Sequence, residues 1–231
     1  MDRTLLSVKR FDQESDECAI AAIASIANFY DPKITYKDIR DLLPYRERRG
    51  GLYTSQQGRL LNLLGFSKVN IITADLNMID FSWSDMSRRK IINRLKRLLS
   101  YHRRIQEDYA ECVEDMLNWL SDKKYDNTLI IDNDFHKHVR RVLSGGRPMG
   151  VSLNMTSMLR QMKAAKEEGD IKGDSEYHAV VLRGYDEKGV FVVDSNPKSD
   201  HYDDEFNRGY YKLTWEKFLI NLPGGDLIWA G

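Results

Sequence analysis

Residues 18–30, CAIAAIASIANFY, are apolar or small at every position except Ser25 and Asn28. A helix that is apolar on nearly all sides is one buried on most of its faces. Asp16 or Ser15 stands where a side chain caps such a helix, which puts Cys18 in its first turn. Beyond Pro32, segments 36–43 and 55–64 predict two further short helices, parted by a turn at Gly50 and Gly51 and closed at Gly65. The N-terminal part, residues 1–74, therefore reads as a helical lobe.

Between residues 87 and 120 apolar side chains recur at Ile91, Leu95, Leu98, Ile105, Cys112, Met116 and Trp119 or Leu120, the spacing of an amphipathic helix. Eight basic residues (Arg88, Arg89, Lys90, Arg94, Lys96, Arg97, Arg103, Arg104) precede the acidic Glu107, Asp108, Glu111, Glu114 and Asp115. Basic-first order opposes the dipole of one continuous helix. The pattern thus favours a hairpin broken near residues 100–102, its antiparallel arms matching charge. Residues 75–125 form a helical insertion in this reading.

After a helical stretch at 134–143 the pattern changes to short runs rich in Val, Ile and aromatic residues, at 148–153, 177–182, 190–194, 210–213 and 227–229. These predict strands of an antiparallel sheet within residues 126–231. Asp186-Glu187-Lys188-Gly189 is a hairpin turn between two of them. The polar stretch 166–176 is the most linker-like part of the chain and leads directly into His178. Trp215, Phe218 and Trp229 read as core residues.

Composition narrows the function classes. Thirty-five basic and thirty-five acidic residues cancel, so no net field favours nucleic acid or an anionic membrane. No apolar run is long enough to span a bilayer, and residues 1–11 lack the features of a signal peptide, so a cytoplasmic protein is expected. Two cysteines, Cys18 and Cys112, are too few for a disulfide framework or an ordinary structural zinc site. His136 and His138, two apart on a helix, diverge, and the acidic stretch 200–205 lacks the ligand spacing of a calcium loop. No metal and no cofactor is expected.

A thiol at a helix start meets free N–H groups and the positive end of the dipole, which favour its anion. His178 opens the apolar run AVVLRGY, which turns through Gly189 into VFVVD, ending at Asp194. In an antiparallel hairpin the early end of one strand lies beside the late end of the other, so His178 and Asp194 meet. A cysteine hydrolase needs this pairing: a base near the thiol and a carboxylate or amide that orients the imidazole. Asp194 supplies the second group, with Asn196 as the competing candidate.

The motifs QESDECAIAAIASIANFY, then GLY and LLNLLGF, then HAVVLRGYD and VFVVDSNP, in that order, resemble those of the bacteriocin-processing leader peptidases and their stand-alone relatives in the papain-like cysteine peptidase superfamily. That resemblance implies an α+β papain-like fold of one domain with the active site in a cleft between helical lobe and sheet. It implies Cys18 as nucleophile, His178 as base, Asp194 as orienting residue and Gln13 as a donor to the oxyanion hole beside the Cys18 backbone N–H. Gln13 stands one residue closer to the cysteine than in many leader peptidases, and Ala19 replaces the glycine that usually follows the nucleophile. The insertion 75–125 has no counterpart in the compact leader peptidases.

The expected function is a cysteine peptidase acting on a peptide or protein through a Cys18 thioester. A papain-like acyltransferase, amidase or deamidase uses the same site. The reading from another class is a non-catalytic binding module that holds a protein partner at residues 87–120.

Overall fold

A computed structural model describes residues 3–43, 51–105, 109–160, 163, 169–196, 209–222 and 225–231. Gly50, the acidic stretch 200–205, Pro197 and part of the stretch 166–176 lie outside the described residues.

The chain forms two compact units, each built from two separated segments. The first comprises residues 1–51 and 136–223, the second residues 52–135 and 224–231.

Helix α1 (Cys18–Tyr30) lies in the first unit, with Ala19 to Asn28 all buried, as its all-round apolar composition requires. Ile20, Ile23 and Ile26 are at most 1% exposed. Each contributes about 2 kcal/mol through burial. The helix is not capped by Asp16 or Ser15 as expected. Its N-cap is Glu17, which makes no side-chain cap, because its carboxylate turns away to Tyr36 Oη and to Arg40 Nε at 3.3 Å. Tyr36 belongs to α2 (Tyr36–Asp41), whose start is closed by a reciprocal Thr35–Asp38 capping box.

Strands β4 (Met149–Asn154), β5 (Tyr177–Asp186), β6 (Gly189–Val193) and β7 (Tyr210–Thr214) form an antiparallel run in that order, and the two-residue β1 (Thr4–Leu5) pairs with the far end of β5. The turn between β5 and β6 is the one read from sequence. Asp186 Oδ1 accepts the backbone N–H groups of Lys188 at 2.8 Å and Gly189 at 3.1 Å. Helix α1 packs on β5 and β4.

One irregularity in the β5–β6 hairpin sets how His178 and Asp194 stand to each other. Gly184 faces Phe191 but Leu182 faces Val192, so Arg183 is an extra residue on β5. Beyond this bulge Val181 faces Val193. Continuing that register by one pair places Asp194 opposite Val180, and so on the same face as His178. Without the bulge every side chain beyond it would be displaced by one, and Asp194 would point to the opposite face.

The second unit contains α3 (Thr54–Leu63), α4 (Arg88–Ile105), α5 (Tyr109–Ser121) and the strands β2 (Val69–Thr73), β3 (Thr128–Ile131) and β8 (Leu227–Ala230). β2 pairs parallel to β3 and antiparallel to β8. Residues 1–74 are thus not helical throughout, since β1 and β2 lie within them. The helical hairpin is present, but α4 continues unbroken through residues 100–102. Leu99 and His102 continue the buried stripe of Ile91 and Leu95, so the apolar face gives no reason to stop there. Arg88 donates to the carbonyls of Leu120, Asp122 and Tyr125, which ties the start of α4 to the end of α5 and makes the arms antiparallel. No helix among the described residues is long and apolar enough to cross a membrane.

Helix α6 (Phe135–Ser144) carries both histidines considered as metal ligands. His136 stacks edge-on against Trp215, with ring centroids 4.2 Å apart, while His138 is buried and accepts from Arg141 Nη2 at 2.9 Å. Trp215 and Phe218 begin the short helix α7 (Trp215–Ile220), and Phe218 and Trp229 are buried, as core residues should be.

Candidate active site

Cys18, His178, Asp194 and Gln13, the four residues singled out in the sequence, all belong to the first unit. Cys18 is the first residue of α1 and is half-buried. Its Sγ accepts the backbone N–H of Ala179 at 3.4 Å, which fixes the thiol against β5 directly beside His178. Burial pushes the Cys18 pKa up, but the hydrogen bond and positive charge of His178, with the N–H groups of Ala179 and Ala19, outweigh it and bring the thiol below its ordinary range.

His178 Nε2 lies 2.6 Å from Asp194 Oδ1. With Nε2 engaged, Nδ1 is the ring nitrogen left to face the thiol. Burial pulls the imidazole pKa down, but Asp194 and Cys18 raise it well above the usual histidine value. The two shifts run in the direction that favours a thiolate beside an imidazolium.

Asp194 is fully buried and bonded through several atoms. Oδ1 also accepts the Asn196 backbone N–H at 2.9 Å, and Oδ2 accepts Tyr211 Oη–H at 3.0 Å. Its own backbone N–H donates to Gly209 O at 2.8 Å, and its carbonyl accepts Arg10 Nε–H at 2.6 Å. Asn196, the competing orienting residue, meets Asp194 through its backbone, and the imidazole contact belongs to Asp194.

Gln13 sits beside this segment. Its backbone N–H donates to Ser195 O at 3.0 Å, Oε1 accepts from Ser195 Oγ at 2.8 Å, and Nε2 donates to Ser15 O at 2.7 Å. Ser15 lies at φ 47, the left-handed region that residues with a Cβ seldom adopt. One N–H of the Gln13 amide is therefore engaged within its own loop, and the other remains for a further acceptor.

Three residues of this constellation escaped the sequence reading. Tyr211 is inward-facing in β7, where Tyr211 and Leu213 alternate with less buried neighbours, so a period-two reading of YYKLT marks it. Arg10 carries no such mark. Gly209 adopts φ +86, and a Cβ there would stand 2.4 Å from Arg10 Nε and 2.5 Å from Asp194 O. Only glycine meets both the conformation and the close approach.

Replacing Tyr211 with phenylalanine removes a hydrogen bond to a buried charged group. It is expected to cost about 1.5–3 kcal/mol of stability and, by leaving Asp194 less firmly held, to lower about tenfold any turnover that draws on His178. Thermal melting and steady-state kinetics of the variant check both.

A helix-borne thiol against a hairpin histidine, in an α+β fold, is the arrangement of the papain-like cysteine peptidase superfamily. Residues 5–219 match the model of the Peptidase_C39 like family, and the chain belongs to that family. No curated protein sequence is significantly similar to it. The chain resembles the crystal structure of a Bacillus anthracis protein described as a C39-like peptidase, at 12% identity and a TM-score of 0.53, covering 100% of this chain and 98% of that one. Xylellain, a cysteine protease from Xylella fastidiosa, aligns at 16% identity and a TM-score of 0.41 over 100% of this chain and 85% of that one.

Proposed function

We propose that the chain is a cysteine peptidase that cleaves a peptide bond through a Cys18 thioester. The observation that carries this reading is the continuous chain of contacts from the Cys18 thiol through His178 to the buried Asp194. The thiolate attacks the carbonyl carbon, and the oxyanion forms beside the Cys18 backbone N–H and the free N–H of Gln13. The imidazolium gives its proton to the leaving amine, and the thioester remains on Cys18. Neutral His178 then takes a proton from water as the water attacks, and the acid product and the thiolate–imidazolium pair are regenerated. Asp194 holds the imidazole in place throughout and stabilises its charged form.

The substrate in this reading is a peptide or protein. A reducing, cytoplasmic setting suits it, since both described cysteines are free and the nucleophile must stay reduced. Incubation of the full chain with a peptide library, with and without a small primary amine, tests the reaction by mass. Hydrolysis predicts new carboxyl termini in both samples, and none with Cys18→Ala. Amide products formed only with the amine, without cleavage in its absence, would identify an acyltransferase instead.

The pH dependence follows from the two shifted groups. Turnover requires the thiolate and the imidazolium together. It is therefore expected to fall on the acid side as the depressed Cys18 thiol protonates, and on the alkaline side as the elevated His178 loses its proton. A plateau that begins below the ordinary thiol pKa of 9.0 is the expected profile of kcat/KM.

A further inference from the structure

Among the described residues, the charge match expected between the arms of the helical hairpin is formed at one pair, Arg103 with Glu114 at 2.6 Å. Asp115 is engaged elsewhere, by Arg59 Nη2 at 2.9 Å and Gln56 Nε2 at 2.7 Å. Arg88 binds carbonyls, and Arg94 acts on Asp80. Among the described residues no carboxylate pairs with Arg89, Lys90, Lys96, Arg97 or Arg104; Glu107 and Asp108 lie outside them.

These five cations are all exposed, and they stand on the side of α4 opposite its buried stripe of Ile91, Leu95 and Leu99. Near the C-terminal end of the helix Lys96, Arg97, Ser100, Tyr101 and Arg104 line a shallow groove, with the Arg104 guanidinium over the Tyr101 ring at 5.6 Å. The helix dipole accounts for Arg103 and Arg104 in the last turn but not for the rest. Arg89 and Lys90 sit at the end of α4 where the dipole disfavours cations, and Lys90 with Arg94, then Arg94 with Arg97, place like charges one turn apart. In a chain with no net charge, this concentration of one sign on one helix face attracts a ligand of the other sign.

We propose that the solvent face of α4 is a docking strip for an acidic polypeptide segment, which recruits the protein that carries it. A polypeptide is favoured because the chain belongs to a peptidase family, and the choice of ligand rests on that reading. From Arg89 to Arg104 the strip runs about 22 Å along the helix. That length matches about seven residues of extended chain. Charge complementarity supplies the attraction, and the groove at Tyr101 gives it a fixed point.

The test uses the full chain carrying Cys18→Ala, so that binding is read without turnover. A fluorescein-labelled peptide of eight glutamates is titrated beside an eight-glutamine control and an eight-nucleotide thymidine strand. The glutamate peptide is expected to bind, more weakly as salt rises, and the glutamine peptide is not. Lys96→Glu with Arg97→Glu and Arg104→Glu is expected to weaken binding at least tenfold; if that variant loses helicity, Arg97→Gln with Arg104→Gln should weaken it at least threefold. Equal binding of the two peptides, undiminished binding by the reversed strip, or tighter binding of the thymidine strand would overturn the proposal. None of these results bears on the cysteine chemistry, which is read separately by turnover of wild type.

Discussion

Cys18→Ala is expected to reduce peptide turnover about 10⁵-fold or more, the scale seen when the nucleophile of a catalytic unit is removed. The fold should survive the change. Cys18 is the first residue of α1, it is half-buried, and alanine is a strong helix former. The N–H of Ala179 loses its sulfur acceptor, but the register of β5 against β4 is held by their own ladder from Met149 to Asn154. A melting temperature within a few degrees of wild type, together with abolished turnover, is the expected combination. Comparable turnover in the variant would remove Cys18 from the chemistry altogether.

The second large effect is expected at Asp194. Asp194→Ala leaves the imidazole of His178 without its partner and takes an acceptor from Tyr211 and from the Asn196 N–H, all in a buried site. Breaking a buried hydrogen-bonded charge network of this kind costs about 3–5 kcal/mol. Losing the group that orients the histidine costs about 10⁴ in turnover. Asp194→Asn separates the two contributions. Its amide oxygen keeps the contact to the ring but not the negative charge, so His178 loses part of what raises its pKa. The alkaline limb of the kcat/KM profile is then expected to move to lower pH by about one unit or more, with a smaller loss of turnover than in the alanine variant. An unmoved alkaline limb would show that Asp194 does not act on His178 by charge.

Much of this site is legible in the order of residues along the chain, because its two halves are local. An all-round apolar helix beginning at a cysteine, and a tight turn at Asp186 to Gly189, are both short-range signals, and each positions one half. The turn brings His178 and Asp194 near each other, but that they share a face is not legible. The alignment of His178 with Asp194 depends on the bulge at Arg183, and β5 is buried on both faces between Ala179 and Leu182, so no alternation of polar and apolar residues records its register. Gly209, Tyr211 and Arg10 converge on Asp194 from separate parts of the chain, which only the folded sheet reveals. β2 and β3 were missed because VNIIT and TLII are short apolar runs that periodicity alone does not assign to strand or helix. The change in charge sign does not mark the end of α4, because the buried stripe that holds the helix continues to His102.

The proposed thiolate–imidazolium pair of Cys18 and His178 is read from the pH dependence of alkylation by iodoacetamide. Cys112 is an internal control within the same chain, its thiol pushed up to about 12 by burial and by Asp226, Asp75 and Asp115. Labelling of Cys18, followed site by site by mass, should be fast on a plateau reaching below the ordinary thiol range, and in His178→Ala should fall back to that range, with Cys112 slow in both. Alkylation of Cys18 that rises only in the ordinary thiol range, and identically with and without His178, would contradict the account.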